Sequence, residues 1–163
     1  MKNTNLVRHT VPSPLGPIVL AADDNALVGV WFDGQKHQPD PSRWRTADAH
    51  PVLRATAEQL QQYFAGERRQ FELPLNLQAG TPFQQRVWQA LLGITAGSTT
   101  TYGALSAQLG QPRAVRAVAG AIGRNPISIV VPCHRVLGAK GALTGYAGGL
   151  PRKTALLQLE GGV

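Results

Sequence analysis

Leu109-Gly110-Gln111-Pro112-Arg113-Ala114-Val115-Arg116-Ala117-Val118-Ala119-Gly120-Ala121-Ile122 is the stretch that decides the fold. Gly110 ends a short helix read over residues 102–109, which Thr99, Thr100 and Thr101 introduce. Pro112, with its φ already helical, starts the next helix. That helix runs to about Ile122 or Gly123, before Asn125-Pro126 stops it. Two short helices joined by a glycine-containing turn predict a helix-turn-helix. In the second of them Val115, Val118, Ala119 and Ile122 recur at helical spacing and are expected to pack inward. Arg113, Arg116, Ala117 and Gly120 lie opposite. Arginines there attract phosphate, and small side chains let a helix approach a groove wall closely.

Upstream, Thr81-Pro82-Phe83-Gln84 carries a capping box and Pro at the first helical position, with Phe83, Val87, Trp88 and Leu91 as the buried stripe. Downstream, residues 127–131 are a continuous apolar run and read as a buried strand. The run delivers Pro132-Cys133-His134-Arg135. Gly138, Gly141, Gly145, Gly148 and Gly149 then form a glycine-dense loop around Tyr146, and residues 152–160 read as a closing helix. The first half reads differently. Residues 18–22 and 27–32 are β-rich and joined by Asp23-Asp24-Asn25, a hairpin signal. Residues 33–50 read as a surface loop. Pro51 opens a helix to about Phe64, with Val52, Leu53, Ala57, Leu60 and Phe64 as its stripe, and residues 70–75 read as a further strand. The prediction is an α+β chain: an N-terminal α/β roll with an antiparallel sheet over 1–78, and a mostly helical, winged-helix-like domain over 79–163. Nothing in the first half carries obvious chemistry, and a scaffold is the expectation for it.

Charge divides the chain at the same place. Net charge is +7. Residues 1–78 hold eight Lys/Arg and eight Asp/Glu, whereas residues 79–163 hold eight Lys/Arg and one acid, Glu160. A half with that imbalance suits a polyanion. No stretch of about 18 apolar residues suggests a membrane span. No secretory leader is read, and one cysteine fits a reducing, cytoplasmic setting.

That cysteine, Cys133, cannot form an internal disulfide and is too few for a cysteine-based metal cluster. Alone, a buried inert thiol is the ordinary reading of such a residue. Here His134 and Arg135 adjoin it and would favour a thiolate, a soft nucleophile that attacks carbon well. His134 as base and Glu160 as its orienting carboxylate would complete a nucleophile–base–third-group set. Neighbours in an extended segment point to opposite faces, so Cys133 and His134 would need a turn or a bridging water to communicate.

These residues fall into a recognised order. Gly80-Thr81-Pro82-Phe83-Gln84-Gln85-Arg86-Val87-Trp88, Tyr102-Gly103, Arg116-Ala117-Val118, Asn125-Pro126 through Pro132-Cys133-His134-Arg135-Val136, Gly145-Tyr146-Ala147-Gly148-Gly149, and Lys153 with Leu156-Leu157 and Glu160 resemble the O6-alkylguanine-DNA alkyltransferases, the methylated-DNA–protein-cysteine methyltransferases. The resemblance covers essentially all of 80–160 and only the outline of the first half. It implies DNA repair by irreversible, single-turnover transfer of an alkyl group from O6 of guanine in duplex DNA to Cys133, through the minor groove and with the nucleotide flipped. It leaves O4-alkylthymine open as a second substrate. It implies that Arg116 fills the vacated stack. Tyr102 crowds the phosphate and donates to guanine N3, and Asn125 braces the turn before the thiol. His134, through a water, and Glu160 activate Cys133. Carbonyls of Cys133 and Val136 read the guanine amino group, and the Ala147 amide bonds O6. Tyr146, Gly148 and Ser128 belong to the pocket, while Arg113, Ala117, Gly120 and Arg124 join the DNA face. No cofactor is implied. The partner is double-stranded DNA carrying O6-alkylguanine, met by a monomer, with cooperative binding left open.

The chain departs from the family pattern in places. Ile94-Thr95-Ala96-Gly97 lacks a Pro often found after the Ile. Ala147 stands where some members have Ser, and Ser128 where some have Pro. Some relatives hold zinc in the first half through Cys and His. Here that half has only His9, His37 and His50, so no metal is expected. Two other classes compete. A non-catalytic lesion-binding winged-helix protein would lack the Cys, and a cysteine hydrolase would show an acyl-chemistry motif.

Overall fold

The computed structural model describes residues 5–161. Three strands, β1 (Val7–Val11), β2 (Ile18–Ala22) and β3 (Leu27–Phe32), form an antiparallel meander. Asp23 makes the β2–β3 turn, its Oδ1 accepting from the amides of Asn25 and Ala26, both at 2.8 Å. A short strand β4 (Arg45–Thr46) pairs parallel to β1, giving the order β3-β2-β1-β4. The sheet is therefore mixed at one edge, where the sequence suggested an antiparallel sheet and a plain loop. β1 also went unread, because its polar-rich run of Arg8, His9 and Thr10 hides the period.

Every residue of β2 and β3 is buried. One face packs Ile18, Leu20, Val30 and Phe32 against helix α1 (Pro51–Phe64). The other packs Val19, Ala21, Val28 and Trp31 under Trp44, whose ring lies 5.8 Å from that of Trp31. The Trp31 ring lies over Gly29, and a Cβ there would stand 1.9 Å from it, so glycine is required. Fully burying side chains of this size stabilises by about 1.5–3 kcal/mol each.

The C-terminal part is helical: α2 (Pro82–Leu91), α3 (Tyr102–Gln108), α4 (Val115–Gly123) and α5 (Leu150–Glu160). The Thr81–Gln84 capping box forms at the start of α2. Trp88 Nε1 donates to Ala121 O at 2.8 Å, pinning α2 to α4. α4 starts three residues after Pro112, because residues 111–114 form a turn in which Ala114 N donates to Gln111 O. Its inward face is Val118, Ala121 and Ile122. Val115, expected inside, is 36% exposed, and Ala119 is only half-buried. Val115 is the first residue of the helix, at its open end, and Ala119 lines the cleft described below. A two-residue pair, β5 (Thr100–Thr101) with β6 (Val136–Leu137), runs parallel and anchors the glycine-rich loop.

Two predicted strands are not strands. Residues 70–75 and 127–131 each touch the free edge of β3 at a single bridge, Leu27 to Leu75 and Val30 to Ile127. Leu27 N donates to Pro74 O and Val30 N to Pro126 O, at 2.8 and 2.9 Å. Residues 127–131 are apolar because they are buried, and 70–75 alternate half-buried Phe71, Leu73 and Leu75 with exposed Gln70, Glu72 and Pro74, but Pro74 and Pro126 deny each a longer ladder. One apolar core therefore holds residues of both parts, from Val7 to Leu156. No helix among the described residues is long and apolar enough to cross a membrane.

Candidate active site

The turn at 126–132 carries the thiol. Asn125 builds it: its Nδ2 donates to Val131 O at 2.8 Å and its Oδ1 accepts from Ile127 N at 3.0 Å. Ile129 sits at φ +70, a left-handed conformation that costs a β-branched residue on the order of 1–3 kcal/mol. Such strain persists only where the surroundings fix it, here by the buried Asn125 and the bridge to β3. Cys133, His134 and Arg135 then form one turn of 3-10 helix. The extended geometry expected of Cys133 and His134 is thus replaced by a turn. All three side chains are buried.

His134 is fully buried, and its Nε2 lies 2.7 Å from Glu160 Oε2. Glu160 also accepts from Arg135, at Oε1 from Nε (2.8 Å) and at Oε2 from Nη2 (2.9 Å). Burial alone would raise the Glu160 pKa, but His134, Arg135 and Tyr63 together hold it down to about 2. An ionised carboxylate only accepts, so the proton of the His134–Glu160 bond resides on Nε2. Nδ1 then carries the lone pair, and no described protein group donates to it. Burial lowers the His134 pKa, against the pull of Glu160, so the imidazole is neutral.

Cys133 is not a resting thiolate. Burial pushes its pKa up, and the Asn125 amide and the Lys153 ammonium oppose that only in part. Arg135, expected to favour the thiolate, instead forms the bidentate pair with Glu160. The cation that acts on the sulfur is Lys153, fully buried on α5, which sequence reading left without a role. Its Nζ donates to the carbonyls of Val136, Thr144 and Gly145 at 2.6, 2.7 and 3.0 Å. Burial brings its pKa down to about 8. Tyr63 was missed as well. It lies on the buried face of α1 with Leu53, Thr56 and Leu60, and a tyrosine at such a position needs a hydroxyl partner. The partner is Glu160 Oε2.

Cys133 opens on a cleft of about 440 Å³ lined by Tyr102, Ala119, Ile122, Tyr146 and Ala147, with Lys36 and His37 at its rim. Sequence reading placed those last two in a surface loop. Lys36 N donates to Ala147 O at 3.1 Å and so ties that loop to the cleft wall. Tyr102 Oη donates to Thr144 O at 3.3 Å. Gly148 stands where a Cβ would meet Tyr146 at 2.8 Å and Phe32 at 2.9 Å. Val136, Ser128 and Gly148 lie outside the cleft lining. Ser128 is buried, its hydroxyl 3.4 Å from Gln35. The carbonyls of Cys133 and Val136 already accept from Val136 N and Lys153 Nζ, and each keeps a second lone pair. A larger groove between β1 and α1, about 1070 Å³, contains no thiol, and the hydroxyl of Ser13 on its wall is engaged with Gly16 O.

Beside the cleft, α4 presents Arg116, Ala117 and Gly120 to solvent, with Arg113 exposed in the turn before it and Arg124 exposed at its C-cap. Arg135 and Lys153 are internal, and Arg152 is half-buried with its Nε on Leu15 O. The outward charge of this half therefore rests on Arg86, Arg113, Arg116, Arg124 and Lys140. Among the described residues no three His, Cys, Asp or Glu side chains gather as a metal site.

Comparison with known proteins accords with this geometry. Residues 82–162 match the family model described as 6-O-methylguanine DNA methyltransferase, DNA binding domain, and residues 6–77 match its ribonuclease-like domain. The methylated-DNA–protein-cysteine methyltransferase of Mycobacterium bovis is 49% identical over 152 residues, 93% of this chain and 90% of that protein. That of Methanosarcina acetivorans is 49% identical over 150 residues, 91% and 94% of the two chains. The crystal structure of Mycobacterium tuberculosis OGT in complex with DNA superposes with a TM-score of 0.87 at 46% identity, covering 95% of this chain and 92% of that one. With both family models matched in order and near-half identity over most of its length, the chain belongs to the 6-O-methylguanine DNA methyltransferase family.

Proposed function

We propose that this protein repairs duplex DNA by moving an alkyl group from O6 of guanine to Sγ of Cys133, once per molecule. The observation that carries the reading is a buried thiol next to a neutral imidazole. That imidazole has Nε2–H fixed by Glu160 and a bare Nδ1, beside a cleft large enough for a base. A raised thiol pKa makes a proton acceptor necessary, and His134 Nδ1, through a bridging water, is the one at hand. The thiol proton passes to Nδ1. The S–C bond forms as the C–O6 bond breaks, and its electron pair leaves with guanine. A hydrogen bond from Tyr102 to N3 and one from the Ala147 amide to O6 stabilise that leaving group. The resulting thioether resists water, so the protein is consumed.

The α4 face and its cations support the minor groove as the entry route, with Arg116 filling the stack after the nucleotide flips. Phosphate contacts fall to Arg113 and Arg124, with Ala117 and Gly120 allowing close approach. We place the division of labour near residues 78 and 79, and the working compartment in the cytoplasm, where one free thiol stays reduced. The test is to incubate the protein with duplex DNA carrying labelled O6-methylguanine and weigh it. One methyl-sized increment on Cys133, absent in Cys133→Ala, is expected. Unmodified protein that still holds the lesion would instead mark a lesion-binding protein.

A further inference from the structure

Glu160 receives four hydrogen bonds, and one of them comes from the N-terminal sheet domain. Its Oε2 alone faces three donors: His134 Nε2, Arg135 Nη2 and the Tyr63 hydroxyl. Tyr63 is 2% exposed, with its ring held between Phe64 and Phe71 at centroid distances of 5.3 and 5.4 Å. Burial, reinforced by the Glu160 charge, drives its pKa far above the ordinary phenol value, so it stays a neutral donor. A second tie from the same domain has different chemistry. Arg69 Nη2 donates to the backbone carbonyl of Glu160 at 3.1 Å and to Ala96 O at 2.9 Å, and leaves the carboxylate alone.

An oxygen divided among three donors holds each one less strongly than it would hold two. The imidazole opposite Tyr63 is therefore anchored by a weakened acceptor and is a weaker base at Nδ1. We propose that Tyr63 is a positioning residue for alkyl transfer: by donating to Glu160 Oε2, it sets how strongly Glu160 holds the Nε2 proton of His134, and so how readily Nδ1 accepts the proton of Cys133. This assigns a role in the reaction to helix α1, in the half of the chain read as scaffold. The other charged and titratable groups around the pair are Arg135, Lys153, Cys133, Tyr146 (ring edge-on to His134 at 6.5 Å) and Arg69. All of them remain when Tyr63 alone is changed.

The inference rests on the alkyl-transfer reading above, and one experiment separates the two. Single-turnover transfer from O6-methylguanine duplex is followed from about pH 5 to 9 for wild type, Tyr63→Phe and Arg69→Ala. Loss of the phenol donor concentrates negative charge on Oε2 and makes His134 more basic. The acid limb of the Tyr63→Phe profile is expected to move upward, by about half a pH unit or more. Affinity for DNA stays at the wild-type value. Arg69→Ala lowers stability and leaves the limb in place. A Tyr63→Phe profile that superimposes on wild type after scaling overturns the proposal. So does an equal shift in Arg69→Ala, which would mean general loosening. A fluorotyrosine placed at position 63 keeps the shape and donates more strongly, so the limb should move down. No movement there overturns the idea even if Tyr63→Phe fails to fold. Absence of transfer in wild type would sink the alkyl-transfer reading instead.

Discussion

The polar cluster behind Cys133 and the outer face of α4 both use arginine, yet they follow opposite rules. In the cluster, Arg135, His134, Glu160 and Tyr63 are all buried, and Glu160 pairs with the other three, leaving only His134 Nδ1 without a partner among them. At α4, Arg116 on the helix and Arg113 in the turn before it face solvent. A buried network is cooperative, so removing one member strands the rest. Exposed residues act almost independently, and their loss is felt only when a partner arrives. The same residue type is thus a paired internal cation in one place and an exposed surface charge in the other.

The sharpest way to break this contrast is Glu160→Gln. The change leaves the Arg135 guanidinium buried without its counter-charge and gives His134 Nε2 an amide in place of a carboxylate. A loss of about 3–5 kcal/mol in urea unfolding is expected, together with a fall in transfer rate of at least about 100-fold. The sign with pH is fixed by the lowered pKa. In the folded protein Glu160 titrates near 2, against an ordinary value of 4.5. Its stabilising contribution is present above about pH 4.5 and is lost as pH falls toward 2. Glu160→Gln should lack that part of the acid transition. An unchanged acid transition would show that the pair contributes nothing to stability.

Arg116→Ala tests the other side. Thermal stability should stay within about 0.5 kcal/mol of wild type. Transfer from duplex DNA should drop by roughly 10- to 100-fold if Arg116 stabilises the extrahelical state by a few kcal/mol. Transfer from the free base should not change. Equal losses on both substrates would remove Arg116 from the stack-filling role.

The two regions were also unequally legible. The helix-turn-helix could be read because Gly110 and Pro112 are local signals and α4 has a helical period. The error at Val115 came from assuming that the helix begins at Pro112, where the chain makes a turn. In the cluster, Cys133, His134 and Glu160 stood out by chemistry and family resemblance. Their partners did not. Tyr63 lies 97 residues from Glu160, and nothing local marks its hydroxyl as the donor. Arg135 was read as a neighbour of the thiol by sequence adjacency, whereas a 3-10 turn sends it to Glu160. Residues 127–131 carry the composition of a strand, but Pro126 and the positive φ of Ile129 make them a turn. Apolar periodicity reports burial. It does not report which edge remains to pair with, and that is fixed by β3.

Arg113 gives the smallest effect and the finest distinction. It lies in the turn before α4, exposed, where the chain enters the helix. If it meets a phosphate, Arg113→Ala should weaken DNA binding a few-fold, alike on lesion and undamaged duplex. It should also reduce the slope of log affinity against log salt by about 1. Transfer at saturating DNA should keep the wild-type rate, because Arg113 does not line the cleft at Cys133. Arg116→Ala should show the reverse: a defect that saturating DNA does not repair, with a smaller change in salt slope. If both variants lose the same slope and both recover at saturation, the face of α4 is one undifferentiated electrostatic surface. The functional contrast within the molecule then lies only between that surface and the buried cluster.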